Sequence, residues 1–151
     1  HKPILKPCLL LIALFTAGII QAQSFNQREQ IVQQTIVKMF DALSNRDSVS
    51  LKAWSTADVT LYEYGELWNI DTLIHKAIKL NTAKEFARTN TFDFIHTTVD
   101  KKMALVNYRL QSVITREGKQ ATVQWLETVV LIKERNQWKV KHLHSTLIKR
   151  S

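Results

Sequence analysis

Glu127, His142 and His144 are acid–base side chains set among apolar neighbours in one stretch, Glu127 to Thr146. The stretch reads as two β-strands joined by the polar turn Arg135-Asn136. A carboxylate or imidazole at a core-facing sheet position is costly unless it is paired or hydrogen-bonded. Such residues therefore either serve as satisfied structural groups or line a pocket. On Gln120–Glu134 the odd positions are Val123, Trp125, Glu127, Val129 and Leu131, an apolar face with one carboxylate in its middle. Burial there raises the pKa of Glu127, as a general acid or base near neutral pH requires. The same placement also suits a structural pairing with a cation or a backbone donor.

His142 and His144 lie two apart on a strand, and simple alternation points them to one side with Trp138 and Val140. A same-face His-x-His can bind zinc, but a site needs a third and usually a fourth ligand. His75, His96 and Glu127 are the available candidates and none has diagnostic spacing, so no metal is expected. The pair is read as hydrogen-bonding to the backbone or into a cavity. On the neighbouring strand the even residues Ala104, Val106, Tyr108 and Leu110 form the more apolar face. Alternation thus points Tyr108 inward and Arg109 outward. An inward Arg109 would fork onto a carboxylate, either a ligand's or that of Glu127. Tyr62, Tyr64 and Trp68 bracket Gly65, where aromatics line a cavity mouth or fill a core. No Gly-rich phosphate loop, serine nucleophile elbow, paired cysteines or dinucleotide fingerprint occurs, which disfavours kinase, Rossmann and hydrolase-triad chemistry.

The elements that must position these residues follow from periodicity. Ile31, Val32, Ile36, Met39, Phe40 and Leu43 recur at helical spacing between Phe25 and Leu43. A short second helix, capped by Asp47 or Ser48, runs to Trp54. Val59 to Tyr64 alternates as a strand ending near Gly65, and Asp71 is placed as the cap of a third helix facing inward through Leu73, Ile74, Ala77 and Ile78. After Asn90 the period changes to two. Thr91–Val99, Lys102–Arg116, Gln120–Glu134 and Gln137–Lys149 form four strands joined by short polar turns. Three helices, one early strand and a four-strand meander make an α+β plan with one core.

The N-terminal residues read as a separate segment. Lys2 and Lys6 precede the apolar run Leu9 to Ile20, and Gln21-Ala22-Gln23-Ser24 follows with small and polar residues. This is the order of a secretory signal peptide, assigned to 1–22, ahead of a domain at 23–151. The apolar run is short for a bilayer span of roughly 20 residues, so no stable membrane insertion is expected after cleavage; the alternative is a retained N-terminal anchor. Export to the periplasm or beyond is the expectation. Cleavage removes the only cysteine and both prolines, and the charge drops from +8 to +6 with the loss of Lys2 and Lys6. The remaining basic residues are scattered, which does not fit a nucleic-acid-binding face.

The order of elements and the last hairpin resemble the nuclear transport factor 2-like superfamily. Within it the chain is most similar to the SnoaL-like branch and to the association domain of calcium/calmodulin-dependent kinase. The residues that carry the resemblance are Phe40-Asp-Ala-Leu43, Asp58-Val-Thr-Leu-Tyr-Glu-Tyr-Gly65, Asn107-Tyr-Arg-Leu110, Glu127-Thr-Val-Val and Trp138-Lys-Val-Lys-His-Leu-His-Ser145. It implies a cone-shaped fold with three helices on a curved, mainly antiparallel sheet around one deep pocket. Dimers through the outer sheet face are implied as well. An arginine at the position of Arg109 lines the pocket of the association domain, against the alternation reading. Two further arginines of that domain fall here on Val129 and Ser145.

The resulting expectation is an exported, dimeric binder of a small organic molecule that uses no cofactor. Its ligand-binding residues would be Tyr62, Trp68, Arg109, Trp125, Glu127, His142 and His144, with Glu127 the candidate catalytic group. The alternatives are a cofactor-free lyase or isomerase of ketosteroid isomerase-like type, and an assembly module without catalysis.

Overall fold

The computed structural model describes residues 24–151; the expected signal segment lies outside them. Helix α1, Gln27–Ser44, opens with a capping box. The Asn26 side chain accepts from the Glu29 backbone N–H (2.9 Å), and the Glu29 carboxylate accepts from that of Asn26 (3.4 Å). Asp47 caps α2, Ser48–Ala53, by accepting from the Ser50 N–H and hydroxyl. Strand β1, Ser55–Glu63, is followed by β2, Glu66–Trp68, then by α3, Ile70–Ile74, which runs on into a π-helical turn at His75–Lys79. Four long strands complete the chain: β3, Phe86–Val99; β4, Met103–Arg116; β5, Lys119–Glu134; and β6, Gln137–Arg150.

All six strands form one mixed, curved sheet in the order β2-β1-β6-β5-β4-β3. Pairings are antiparallel except β1 against β6. Hairpin turns at Tyr64-Gly65, Glu117-Gly118 and Arg135-Asn136 all have positive φ at both residues. Such turns carry the right-handed twist that lets two long strands stay paired. The helices cover one face of the sheet, and the core is built between them. Val32, Ile36, Met39 and Phe40 of α1, Leu51 of α2 and Leu73 and Ile74 of α3 pack on Leu61, Val106, Tyr108, Leu110, Val129, Leu131, Val140 and Leu143.

Three local readings of the sequence differ from the structure, each for a physical reason. The third helix is capped by Asn69, whose side chain accepts from the Thr72 N–H, rather than by Asp71. The short strand β2 carries too few residues to show a period, yet it pairs Leu61↔Trp68 and Glu63↔Glu66 beside β1. Strand β3 starts at Phe86, not Thr91, because Phe86↔Arg116 pairing runs to the end of its partner. Its early inward residues Arg88 and Asn90 are polar, which hid the alternation.

Candidate functional site

The site is organised by strand register. Tyr108 on β4 pairs directly with Glu127 on β5, and Glu127 pairs with Ser145 on β6. One row of inward side chains thus crosses three strands. On β1, next beyond β6, Tyr62 pairs with His144, and Glu63 follows by one position. Alternation on β1 keeps Val59, Leu61 and Glu63 on the helix-covered side. Two carboxyl groups from distant parts of the chain therefore meet under the helices. They open into a cavity of about 240 Å³ whose walls include Phe40, Leu43, Trp68, Leu73, Ala77 and Trp125.

Burial and hydrogen bonding set the electrostatics here. Glu127 is 3% exposed, and the Tyr108 hydroxyl donates to its Oε1 at 2.7 Å. Burial raises the Glu127 carboxyl above its ordinary range, while Ser145, Tyr108 and Arg88 act against that rise. Glu63 is pushed up to about 8, first by burial and then by the charge of Glu127. Near neutral pH Glu63 is therefore largely protonated. Burial, the Glu127 charge and the Glu127 hydrogen bond all hold the Tyr108 phenol far above its usual range. The buried Ser145 hydroxyl lies close enough to both carboxyls to act against the rise of each.

Arg88 is the cation of this face. Its Cζ lies 5.6 Å from the Phe40 ring centre and 5.4 Å from that of Trp125, so the guanidinium is held between two aromatic walls. Arg88 Nε donates to Asn90 Oδ1 (2.9 Å) and an Nη donates to Ser112 Oγ (3.2 Å). Ser112 donates onward to Asn90, and Asn90 to Ser44 at the end of α1. The network fixes Arg88 without an ion pair; none of the ion pairs among the described residues includes Arg88, Glu63 or Glu127. At the cavity mouth Trp68 donates from Nε1 to Glu66 (2.7 Å), and Lys76 lies over the Trp68 ring while pairing with Glu66 at 3.6 Å.

Of the residues singled out from sequence, the structure brings Trp68, Trp125 and Glu127 together at this cavity. Tyr62, His142 and His144 instead cluster on the other face of the sheet. The Tyr62 ring packs edge-on against both imidazoles, at 4.6 and 5.7 Å, and Thr60 Oγ1 bonds His142 Nδ1 at 2.7 Å. The reason is a bulge: register shifts between Val130↔His142 and Leu131↔Val140. Val140 and Leu143 both face the core, so the histidines leave the side that Trp138 and Val140 occupy. Burial and then the neighbouring His144 lower the His142 pKa.

Arg109 also lies on the open face, exposed and 3.7 Å from Asp93, as alternation on β4 expects and unlike the arginine of the association domain. Among the described residues no three His, Cys, Asp or Glu side chains gather as metal ligands. Glu63 and Arg88 were not recognised from sequence. Glu63 continues the Val59–Leu61 alternation and was legible in that way. Arg88 was hidden by the misplaced start of β3.

The comparisons with known proteins agree with this architecture. Residues 32–148 match the SnoaL-like domain family, and the chain belongs to that family. Among solved structures, the hub homology domain of the kinase CaMKII from Chlamydomonas reinhardtii superposes with a TM-score of 0.70 at 22% identity, covering 80% of this chain and 98% of that one. A nuclear transport factor 2-like protein from Cytophaga hutchinsonii gives 0.68 at 19%, covering 82% and 100%. A ketosteroid isomerase-like protein from Erwinia carotovora atroseptica gives 0.66 at 15%, covering 83% and 99%. These identities establish a shared fold, the nuclear transport factor 2-like one. No functionally curated protein matches the chain by sequence.

Proposed function

We propose that the protein is an exported binder of a small organic molecule, which it takes into the cavity between the helices and the sheet. The observation that carries this reading is a buried carboxylate, Glu127, opening onto a cavity whose walls are otherwise mainly apolar and aromatic. Pockets for small molecules combine apolar walls with a few placed polar groups in just this proportion. Export rests on the order of charged, apolar and small residues in segment 1–22. The fold neighbours, one of them ketosteroid isomerase-like, are compatible with such a ligand. Trp68 and Trp125 line the cavity, so occupancy should change tryptophan fluorescence. The test is native mass spectrometry of the purified protein together with a fluorescence titration against small one-ring compounds. A retained ligand, or saturable quenching that Glu127→Gln weakens at least tenfold, is expected. Unchanged spectra across the whole panel would remove the reading.

The Glu63–Glu127 pair favours one second reading, a cofactor-free isomerase or lyase. A carboxyl that titrates about 8 beside a second raised carboxyl is suited to moving protons near neutral pH. Turnover of a carbonyl substrate that Glu127→Gln abolishes, with folding intact, separates catalysis from binding. We also propose homodimerisation through the open sheet face, where Leu105, Leu126 and Leu147 are solvent-accessible. Sedimentation of Leu126→Lys should then report a monomer where the parent chain sediments as a dimer.

A further inference from the structure

A groove of different chemistry lies where the start of α1 meets the β5–β6 turn. We infer that it binds an acidic oligosaccharide, a chain of neutral sugars that carries a carboxylate at intervals. A hollow of about 500 Å³ is lined by Gln27, Gln30 and Gln34 of α1 and by Trp54, Gln137 and Trp138. A smaller hollow of about 240 Å³ has Arg28, Lys101 and Lys133 around Val99 and Trp138. The two share Ile31, Asn136 and Trp138 as walls and so lie side by side. Ile31 is 51% exposed, and an elongated ligand crossing it touches both hollows. Neither hollow includes a residue of the cavity that holds Glu63 and Glu127.

Charge selects an anion. No aspartate or glutamate lines either hollow. Arg28 and Lys38 of α1, Lys101 of the β3–β4 turn and Lys133 of β5 take part in no ion pair among the described residues. The acids adjacent in sequence are engaged elsewhere. Glu29 closes the capping box, Asp100 accepts from the Lys101 backbone N–H, and Glu134 pairs with Lys139. Lys133 lies over the Trp138 ring at 5.8 Å instead, and Lys38 over that of Trp54 at 4.8 Å. Arg28, Lys101 and Lys133 thus converge on one hollow from separate elements without a counter-charge. A carboxylate there gains the fork of an arginine and the point charges of two lysines.

A second and independent observation, the amides of the larger hollow, defines what accompanies the anion. Gln27, Gln30 and Gln34 recur along one face of α1, opposite Asn136 and Gln137. Of these only Gln30 bonds to protein among the described residues, donating to the Phe25 carbonyl at 2.7 Å. A side-chain amide both donates and accepts, as a sugar hydroxyl does. Lys38 is the single cation of this hollow, so the segment lying there is mainly uncharged. A nucleic acid, charged at every unit, would call for cations along its whole length. A peptide would seek an open strand edge. The sheet's edges are β2 and β3, and β3 reaches the groove only through its last residue, Val99. A lipid tail would need a broad apolar surface, and Ile31 is the only large apolar side chain of the groove that stands exposed. Neutral sugars along the amides and an acidic sugar at the cations satisfy both halves.

The experiment is calorimetric titration of the purified full chain at low ionic strength with three probes. They are a tetrasaccharide of alternating glucuronate and N-acetylglucosamine, the neutral N-acetylglucosamine tetramer, and tetraglutamate. The acidic sugar should bind at least tenfold tighter than either of the others. The double change Lys101→Gln and Lys133→Gln should bring it down to the level of the neutral tetramer. The double change Gln30→Ala and Gln34→Ala should weaken both sugars severalfold and leave tetraglutamate unmoved. Neutral sugar binding as tightly as acidic, tetraglutamate binding as tightly as the acidic sugar, or an acid preference that survives the lysine changes overturns the proposal. Sugar affinities that ignore the glutamine changes overturn it as well. So does absence of binding by all three probes to protein that is folded by circular dichroism. None of the substituted residues lines the cavity of Glu63 and Glu127, so each of these outcomes leaves the ligand of that cavity an independent question.

Discussion

The two faces of one sheet treat polar residues in opposite ways. On the helix-covered side Glu127, Tyr108, Ser112 and Ser145 are buried, and the carboxyls of Glu127 and Glu63 are both raised. On the open side Arg109 and His144 stand in solvent with ordinary surface partners. The residue types are similar and the strands are the same. Only removal from water differs, and it turns a carboxylate from a solubilising group into a costly, titratable one. Polar chemistry worth testing is therefore concentrated where three strands place Tyr108, Glu127 and Ser145 in one row.

The sharpest way to break this contrast is to truncate matched apolar residues. Leu143→Ala on β6, under the helices, should cost about 2–5 kcal/mol in urea unfolding, since the vacated space cannot fully collapse. Leu126→Ala on the open face of β5 should stay within about 0.5 kcal/mol at protein concentrations low enough to dissociate the proposed dimer. Equal losses would mean that the open face is covered in solution. Removing a phenol oxygen gives a second matched pair. Tyr108→Phe strands buried Glu127 without its donor and should cost about 1–3 kcal/mol, whereas Tyr62→Phe should leave the melting temperature almost unmoved.

A pH series sharpens the comparison further. Glu63 is raised from the usual carboxylate range to about 8 in the folded chain, so between about pH 4.5 and pH 8 the folded state binds more protons than the unfolded one. Its contribution to stability is complete below the unfolded pKa and is lost as pH rises through the folded value. Glu63→Gln should flatten that alkaline decline in denaturant midpoints and leave the variant more stable than the parent at about pH 9. An unchanged slope would mean that Glu63 titrates normally. The smallest effect belongs to the open face: Arg109→Ala, which breaks an exposed pair with Asp93, should cost less than about 1 kcal/mol and vanish in salt.

Legibility in the sequence followed the strength of the local period. Strands β4, β5 and β6 were read to within a residue or so because each carries six or more alternations, and the inward set Val123, Trp125, Glu127, Val129, Leu131 stands as read. Helix α1 was equally clear from its apolar stripe and its 3.6-residue spacing. Arg88 escaped because a strand whose inward residues are polar has no hydrophobic signal. The histidines of β6 were assigned to the side of Trp138 and Val140 because a one-residue bulge reverses parity and leaves no mark in composition.

By itself the chain determined its α+β plan, the long antiparallel strands and the isolation of Glu127 on an apolar face. These depend on interactions within a few residues or on one repeating period, which the order of residues records directly. Tertiary structure alone decided that Glu63 and Arg88 join Glu127, that Ser145 comes to lie beside both carboxyls, and that Tyr62, His142 and His144 turn away. Those outcomes depend on the parallel pairing of β1 with β6, two segments about eighty residues apart, and on where a bulge shifts the register. Long-range pairing and register are properties of two strands at once, so neither strand carries them alone.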